Sequence, residues 1–154
     1  NHSYKIERKS QTENQLSFSV MKDGCLEELD FAVFCYNDTS TAFQYQENHI
    51  MPYPEGMSRM FCGLPLVGME NIGMPFILNS LEFEPEQERD GIAFDPTANP
   101  ENLKILKDSV HLYEIVLDYV EKNKLRNAYH LTKMAKRYNG SQTSRTKFCE
   151  HRGL

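Results

Sequence analysis

No stretch of this chain approaches the roughly 18 consecutive apolar residues that a membrane-crossing helix needs, and residues 1–15 are too polar for a secretory signal. Cysteines are few and badly spaced for a staple or a metal. Cys25, Cys35, Cys62 and Cys149 form no CxxC pair, and no two histidines stand three to five residues apart. That spacing argues against zinc, and no metal site is expected. The polar, signal-less start also argues against an oxidising compartment, so a cytoplasmic chain is expected. Cys35 and Cys62 sit beside aromatic residues and read as buried thiols rather than nucleophiles. Catalytic signatures are missing too. There is no Walker loop, dinucleotide fingerprint or HExxH, and no GxSxG surrounds any serine. The first residue is Asn1 rather than Met, which suggests that the chain starts inside a longer protein.

What is present is the composition of a single globular domain: 154 residues, 40% apolar and 25% charged. The net charge of −5 hides an asymmetry. Residues 121–154 carry nine Lys/Arg against two Glu, while residues 1–120 carry eight basic and 20 acidic residues. A basic segment of this kind can meet nucleic acid, anionic lipid or an acidic neighbour, or simply form a solvated helix face.

The first half reads as strands. Leu16–Val20 alternates strictly, Leu29–Tyr36 is nearly continuous in apolar residues, and Asp23-Gly24 and Asn37-Asp38 supply turns. Further strands are expected near 4–9, 42–46, 59–67 and 76–78. Leu81 to Pro100 contains three prolines and six acidic residues and reads as an exposed loop with one extended piece, Gly91–Phe94. The second half reads as helix. Asn99 suits the N-cap and Pro100 the first helical position. Leu103, Leu106, Val110, Tyr113, Leu117 and Val120 then recur at steps of three and four, broadened by Ile105, Leu112 and Val116. A shorter helix is expected over 125–138. The fold class is therefore α+β: a mostly antiparallel sheet packed by one long helix and one shorter one. A single domain is expected over 1–138, with strands about 4–94, helices about 100–138 and a polar basic tail at 139–154.

Two features could carry chemistry. Gly68 and Gly73 stand five apart, a weak phosphate-loop signal that a tight turn needing positive φ explains better. Arg89 stands alone between Glu88 and Asp90; it can fix its loop by an ion pair or reach a phosphate, for which its planar fork is suited.

The segment Phe61-Cys62-Gly63-Leu64-Pro65-Leu66-Val67-Gly68-Met69-Glu70-Asn71-Ile72-Gly73-Met74-Pro75-Phe76-Ile77-Leu78-Asn79-Ser80 resembles a stretch of sacsin-type, heat shock protein 90-like ATPases of the GHKL superfamily. The resemblance continues through Phe83-Glu84-Pro85 and Glu88-Arg89-Asp90-Gly91-Ile92. A looser similarity covers the long helix and Asn127–Leu131. Met69 departs from the small hydroxyl residue expected before Glu70. In that family the stretch lies downstream of the nucleotide-binding domain, and none of the ATP-site motifs is recognisable here. The resemblance thus implies a middle or transducer-like segment of a chaperone-type ATP-binding protein, inactive alone. It would take ATP and Mg only through its parent, dock on the adjacent nucleotide-binding domain and serve client proteins. Arg89 is then the first candidate for a phosphate-sensing arginine and Arg59 the second. Glu70, Asn71, Asn79, Asp90 and Gly91 are the other motif residues implied. Neither a membrane nor nucleic acid is an expected partner of this reading. The alternatives are an interaction module for protein or nucleic acid that uses the basic tail, and a small hydrolase built on Glu70, Asn71 and Asn79.

Overall fold

The computed structural model describes residues 6–132, with side chains from Glu13 onward. It is an α+β fold: a mostly antiparallel sheet packed against one long helix. The strands are β1 (Ile6–Thr12), β2 (Gln15–Lys22), β3 (Cys25–Tyr36), β4 (Thr39–Gln46), β5 (His49–Ile50), β6 (Met60–Cys62), β7 (Leu64–Pro65) and β8 (Leu78–Asn79). Their order is β1-β2-β3-β4-β8-β6-β7, with β5 beside β4. Tight hairpins join β1 to β4, which is why they pair antiparallel. The pairing of β6 with β8 is parallel, Met60 opposite Leu78.

The period of two gives the sheet two different faces. On the near face, Ala32 opposes Phe43 and Phe34 opposes Thr41; all four are buried. On the far face, Leu16 opposes Phe31, Phe18 opposes Leu29 and Val33 opposes Ala42.

Helix α1 (Pro100–Lys122) covers the near face. Tyr119 meets the Phe34 ring edge-on at 5.0 Å, and Tyr113 stacks on Phe76 at 4.8 Å. Full burial of such aliphatic and aromatic side chains stabilises by about 1.5–3 kcal/mol each. The helix turns slightly away from the expected stripe. Its buried line is Asn102, Ile105, Leu106, Ser109, Leu112, Val116 and Val120, while Val110 is exposed. The residues that broadened the stripe are its centre, because two small or polar residues, Asn102 and Ser109, complete the buried face. Asn99 is the N-cap residue but makes no capping bond; its amide donates to Glu84 Oε2 at 3.2 Å.

Three expectations need correction. Over the described part of 125–138 there is no α-helix but a short 3-10 helix, Ala128–Leu131. Its entry is fixed by Arg126, whose carbonyl accepts from Ile50 N, and by Asn127 at φ 62. The remainder of that expectation, and the basic tail, lie outside the described residues. The 81–100 segment is also not simply an exposed loop. Phe83, Ile92 and Phe94 are buried in the core, while most of its acidic residues, with Leu81, Gln87 and Arg89, face water. Cys35 is exposed rather than buried.

Candidate functional site

Arg89 sits at the tip of a short excursion closed by a bridge between Pro85 and Ile92. Glu86 N donates to Gly91 O at 2.9 Å, and Arg89 N donates to Glu86 O at 2.8 Å. Gly91 is buried and Asp90 is exposed. Arg89 itself adopts φ 55, a left-handed conformation that costs a non-glycine residue about 1–3 kcal/mol. Contacts across to the β6–β7 turn hold it there. Arg89 O accepts from Val67 N at 3.1 Å, and Arg89 Nη2 donates to Cys62 O at 3.2 Å. No ion pair with Glu88 or Asp90 forms among the described residues, so a carbonyl rather than a carboxylate fixes this arginine. Most of its five N–H donors remain for another acceptor.

The ground around Arg89 is apolar and open. Leu64, Val67 and Leu81 are 68%, 67% and 74% exposed. Beside them a cleft of about 480 Å³ is lined by Met57, Phe61, Pro65, Leu66, Val67 and Glu70, among others. Glu70 Oε1 accepts from Gly68 N at 3.1 Å, which holds the turn that presents Val67. Asn79 Oδ1 accepts from Gly63 N at 3.0 Å, and its Nδ2 donates to Ser40 Oγ at 3.2 Å. The Cys62–Gly63 turn is therefore held by Arg89 on one side and Asn79 on the other.

Arg59 stands apart. Its guanidinium lies over the Tyr53 ring at 4.5 Å, a cation–π contact. Its Nε and Nη1 are buried and have no acceptor among the described residues. Burial pulls the Arg59 pKa below its ordinary value, opposed by the neighbouring Tyr53. Burial pushes the Tyr53 hydroxyl up to about 12, partly offset by its hydrogen bonds and by Arg59. A guanidinium with two dry, unused donors is a potential anion receptor.

The structure thus gathers Arg89, Asp90, Gly91, Glu70 and Asn79 around the 62–68 segment, each with a different task. Glu70 and Asn79 brace turns, Asp90 and Gly91 form the tip, and Arg89 is presented. Asn71 is exposed and lines neither described cavity. Glu70 lines the larger cavity and Asn79 a separate one of about 250 Å³, so the three residues of the hydrolase reading share neither of these two cavities. Met69, the departure from the family pattern, is buried in the core. Among the described residues no group of three His, Cys, Asp or Glu could hold a metal ion, and no helix is long and apolar enough to cross a membrane.

Sequence reasoning missed Asn102. Its amide is fully buried and clips the Arg89-bearing segment to α1. A polar residue inside the apolar stripe was the signal available. Comparison with protein-family models, with curated proteins and with solved structures finds no match for this chain.

Proposed function

We propose that this chain is a coupling module of a heat shock protein 90-like, sacsin-like ATPase. It docks on an adjacent nucleotide-binding domain in the cytoplasm and binds no ATP alone. Arg89 supplies positive charge to the phosphates held by that domain, with Arg59 as the second cation. ATP and Mg belong to the parent assembly. One observation carries the reading: an arginine in a left-handed turn, held by hydrogen bonds to the backbone of Cys62 and Val67, with Leu64 and Val67 exposed on that same segment. Contiguous exposed apolar groups mark interaction surfaces, and a fixed arginine beside them suits an anionic group on the partner.

The experiment is ATP hydrolysis by the longer parent, with and without Arg89→Ala. A drop of about tenfold or more in kcat, the scale of a lost transition-state contact, is expected. An unchanged rate removes Arg89 from the mechanism. The chain on its own is expected to leave ATP unbound in calorimetry, and saturable binding to it would overturn the coupling role.

A further inference from the structure

The cleft of about 480 Å³ beside the β6–β7 turn has a single polar handle. Met57, Phe61, Pro65, Leu66 and Val67 line it with apolar surface, and Glu70 lies among them. Leu66 is fully buried and Val67 is 67% exposed, so the cleft has a deep wall and an open lip. The Ser58 hydroxyl is also on the lining, but it is turned to Met60 O and Leu66 O, each at 2.9 Å. Glu70 is therefore the one ionisable group of the lining. Its Oε1 accepts from Gly68 N at 3.1 Å, and its Oε2 makes no hydrogen bond among the described residues. Arg89 is not part of the lining, and its guanidinium is turned to Cys62 O. Residues 1–120 carry 20 acidic against eight basic residues, a balance whose field favours a cation.

We propose that this cleft receives a lysine side chain of a partner polypeptide, its aliphatic stem along Phe61, Pro65 and Leu66 and its ammonium on Glu70. Lysine joins an apolar stem to a charged head, which matches an apolar wall carrying one carboxylate. An acidic side chain would be repelled there, and a purely apolar one would cover Glu70 without pairing it. Glu70 also favours lysine over arginine. A guanidinium fork suits both oxygens of a carboxylate, and here Gly68 N already holds one of them. An ammonium is a point charge that a single oxygen serves. The open lip favours a polypeptide over a free amine. A small ligand is normally covered over about 70–90% of its surface, which a cleft open at Pro65 and Val67 does not provide. A chain lying across exposed Leu64 and Val67 closes the lip over its own lysine. The inference rests on the cleft alone and is independent of nucleotide and of Arg89.

The test titrates the whole chain with the acetylated, amidated peptide Ala-Ala-Lys-Ala-Ala and follows amide shifts. Its counterparts carry norleucine or arginine in place of the lysine, and n-butylamine is the free amine. The lysine peptide is expected to saturate in the millimolar range, with shifts at Phe61, Val67 and Glu70. It should bind at least about threefold tighter than the norleucine peptide, the scale of a part-exposed ion pair, and tighter than the arginine peptide or butylamine. Glu70→Gln keeps an acceptor for Gly68 N, so the turn should hold in circular dichroism while the preference for lysine over norleucine disappears. Val67→Lys, at an exposed position, serves if Glu70→Gln does not fold, and repulsion should remove the same preference. No saturation by the lysine peptide, equal binding of the norleucine peptide, or a lysine preference that survives in these variants would each overturn the proposal. Tighter binding of the arginine peptide, or of butylamine, would overturn the choice of occupant.

Discussion

Asn102 holds both backbone polar groups of Glu84 with a single carboxamide. Its Oδ1 accepts from Glu84 N at 2.9 Å and its Nδ2 donates to Glu84 O at 3.0 Å. The same Nδ2 donates to Ala93 O at 2.9 Å. One fully buried side chain near the start of α1 thus fixes both ends of the segment that carries Arg89.

Asn102→Ala should therefore destabilise the chain strongly. It leaves three backbone groups short of partners, and each unsatisfied buried group costs about 1–3 kcal/mol. A loss of about 3 kcal/mol in urea unfolding is expected. Asn102→Asp should be at least as damaging at neutral pH, because it faces two carbonyls with a carboxylate and has no donors. Recovery of the aspartate variant as pH falls from neutral towards about 4, the range in which the buried carboxyl regains its proton before the unfolded one does, would support this; equal stability of both variants at all pH values would not.

Arg59→Met should leave stability unchanged or raise it. The arginine gives up hydration at Nε and Nη1 without gaining acceptors, and its compensation is the Tyr53 ring, worth about 0.5–2 kcal/mol. Methionine keeps contact with the ring and removes the dry donors. Thermal melts of the two proteins check this. A fall of several degrees would mean that the arginine is structural, and its place as second phosphate-sensing candidate would lapse.

Much of the fold was legible because it depends on local periodicity. The Asp23-Gly24 and Asn37-Asp38 turns, the alternation over Leu16–Val20 and the long stripe over α1 each declare themselves within a short window. What escaped depends on long-range pairing. The parallel pairing of Met60 with Leu78 joins two short strands whose first residues stand 18 positions apart. Asn102 acts on residues 18 positions earlier. The 125–138 expectation failed over its described part because Asn127 takes a left-handed conformation at φ 62 and Arg126 bonds to Asn48 and Ile50. Tertiary pairing there overrides local helix propensity. Arg89 was picked out by its charge context. Its neighbours Leu64, Val67 and Leu81 were not, since exposure follows from packing rather than residue type.

Stability should fall in alkali through Tyr53. Its folded pKa of about 12 lies above the ordinary value of 10.0, chiefly from burial. The folded state therefore keeps a proton that the unfolded chain gives up. The contribution is whole below pH 10 and is lost as pH rises from 10 towards 12. A two-unit shift corresponds to about 3 kcal/mol. Tyr53→Phe also loses the hydrogen bond to Ala42 O, 2.8 Å long, so it should be weaker at pH 8. The gap between the two proteins should narrow at pH 11–12. A gap that stays constant would show that Tyr53 does not ionise differently on folding.

Variants at Arg89 test the proposed coupling role apart from stability. At φ 55 its backbone is strained, and glycine enters that region freely. Arg89→Gly relieves the strain but loses the hydrogen bond to Cys62 O, an exposed contact worth about 0.5–1.5 kcal/mol. The two effects nearly cancel, so its urea midpoint should lie close to that of the parent chain. Arg89→Ala keeps the strain and loses the bond, and should be less stable than Arg89→Gly by about 1 kcal/mol. Both remove the guanidinium, so both should lower ATP hydrolysis by the longer parent to the same extent. If hydrolysis instead followed stability, with the glycine variant active and the alanine variant impaired, Arg89 would be a turn residue and the coupling role would pass to Arg59.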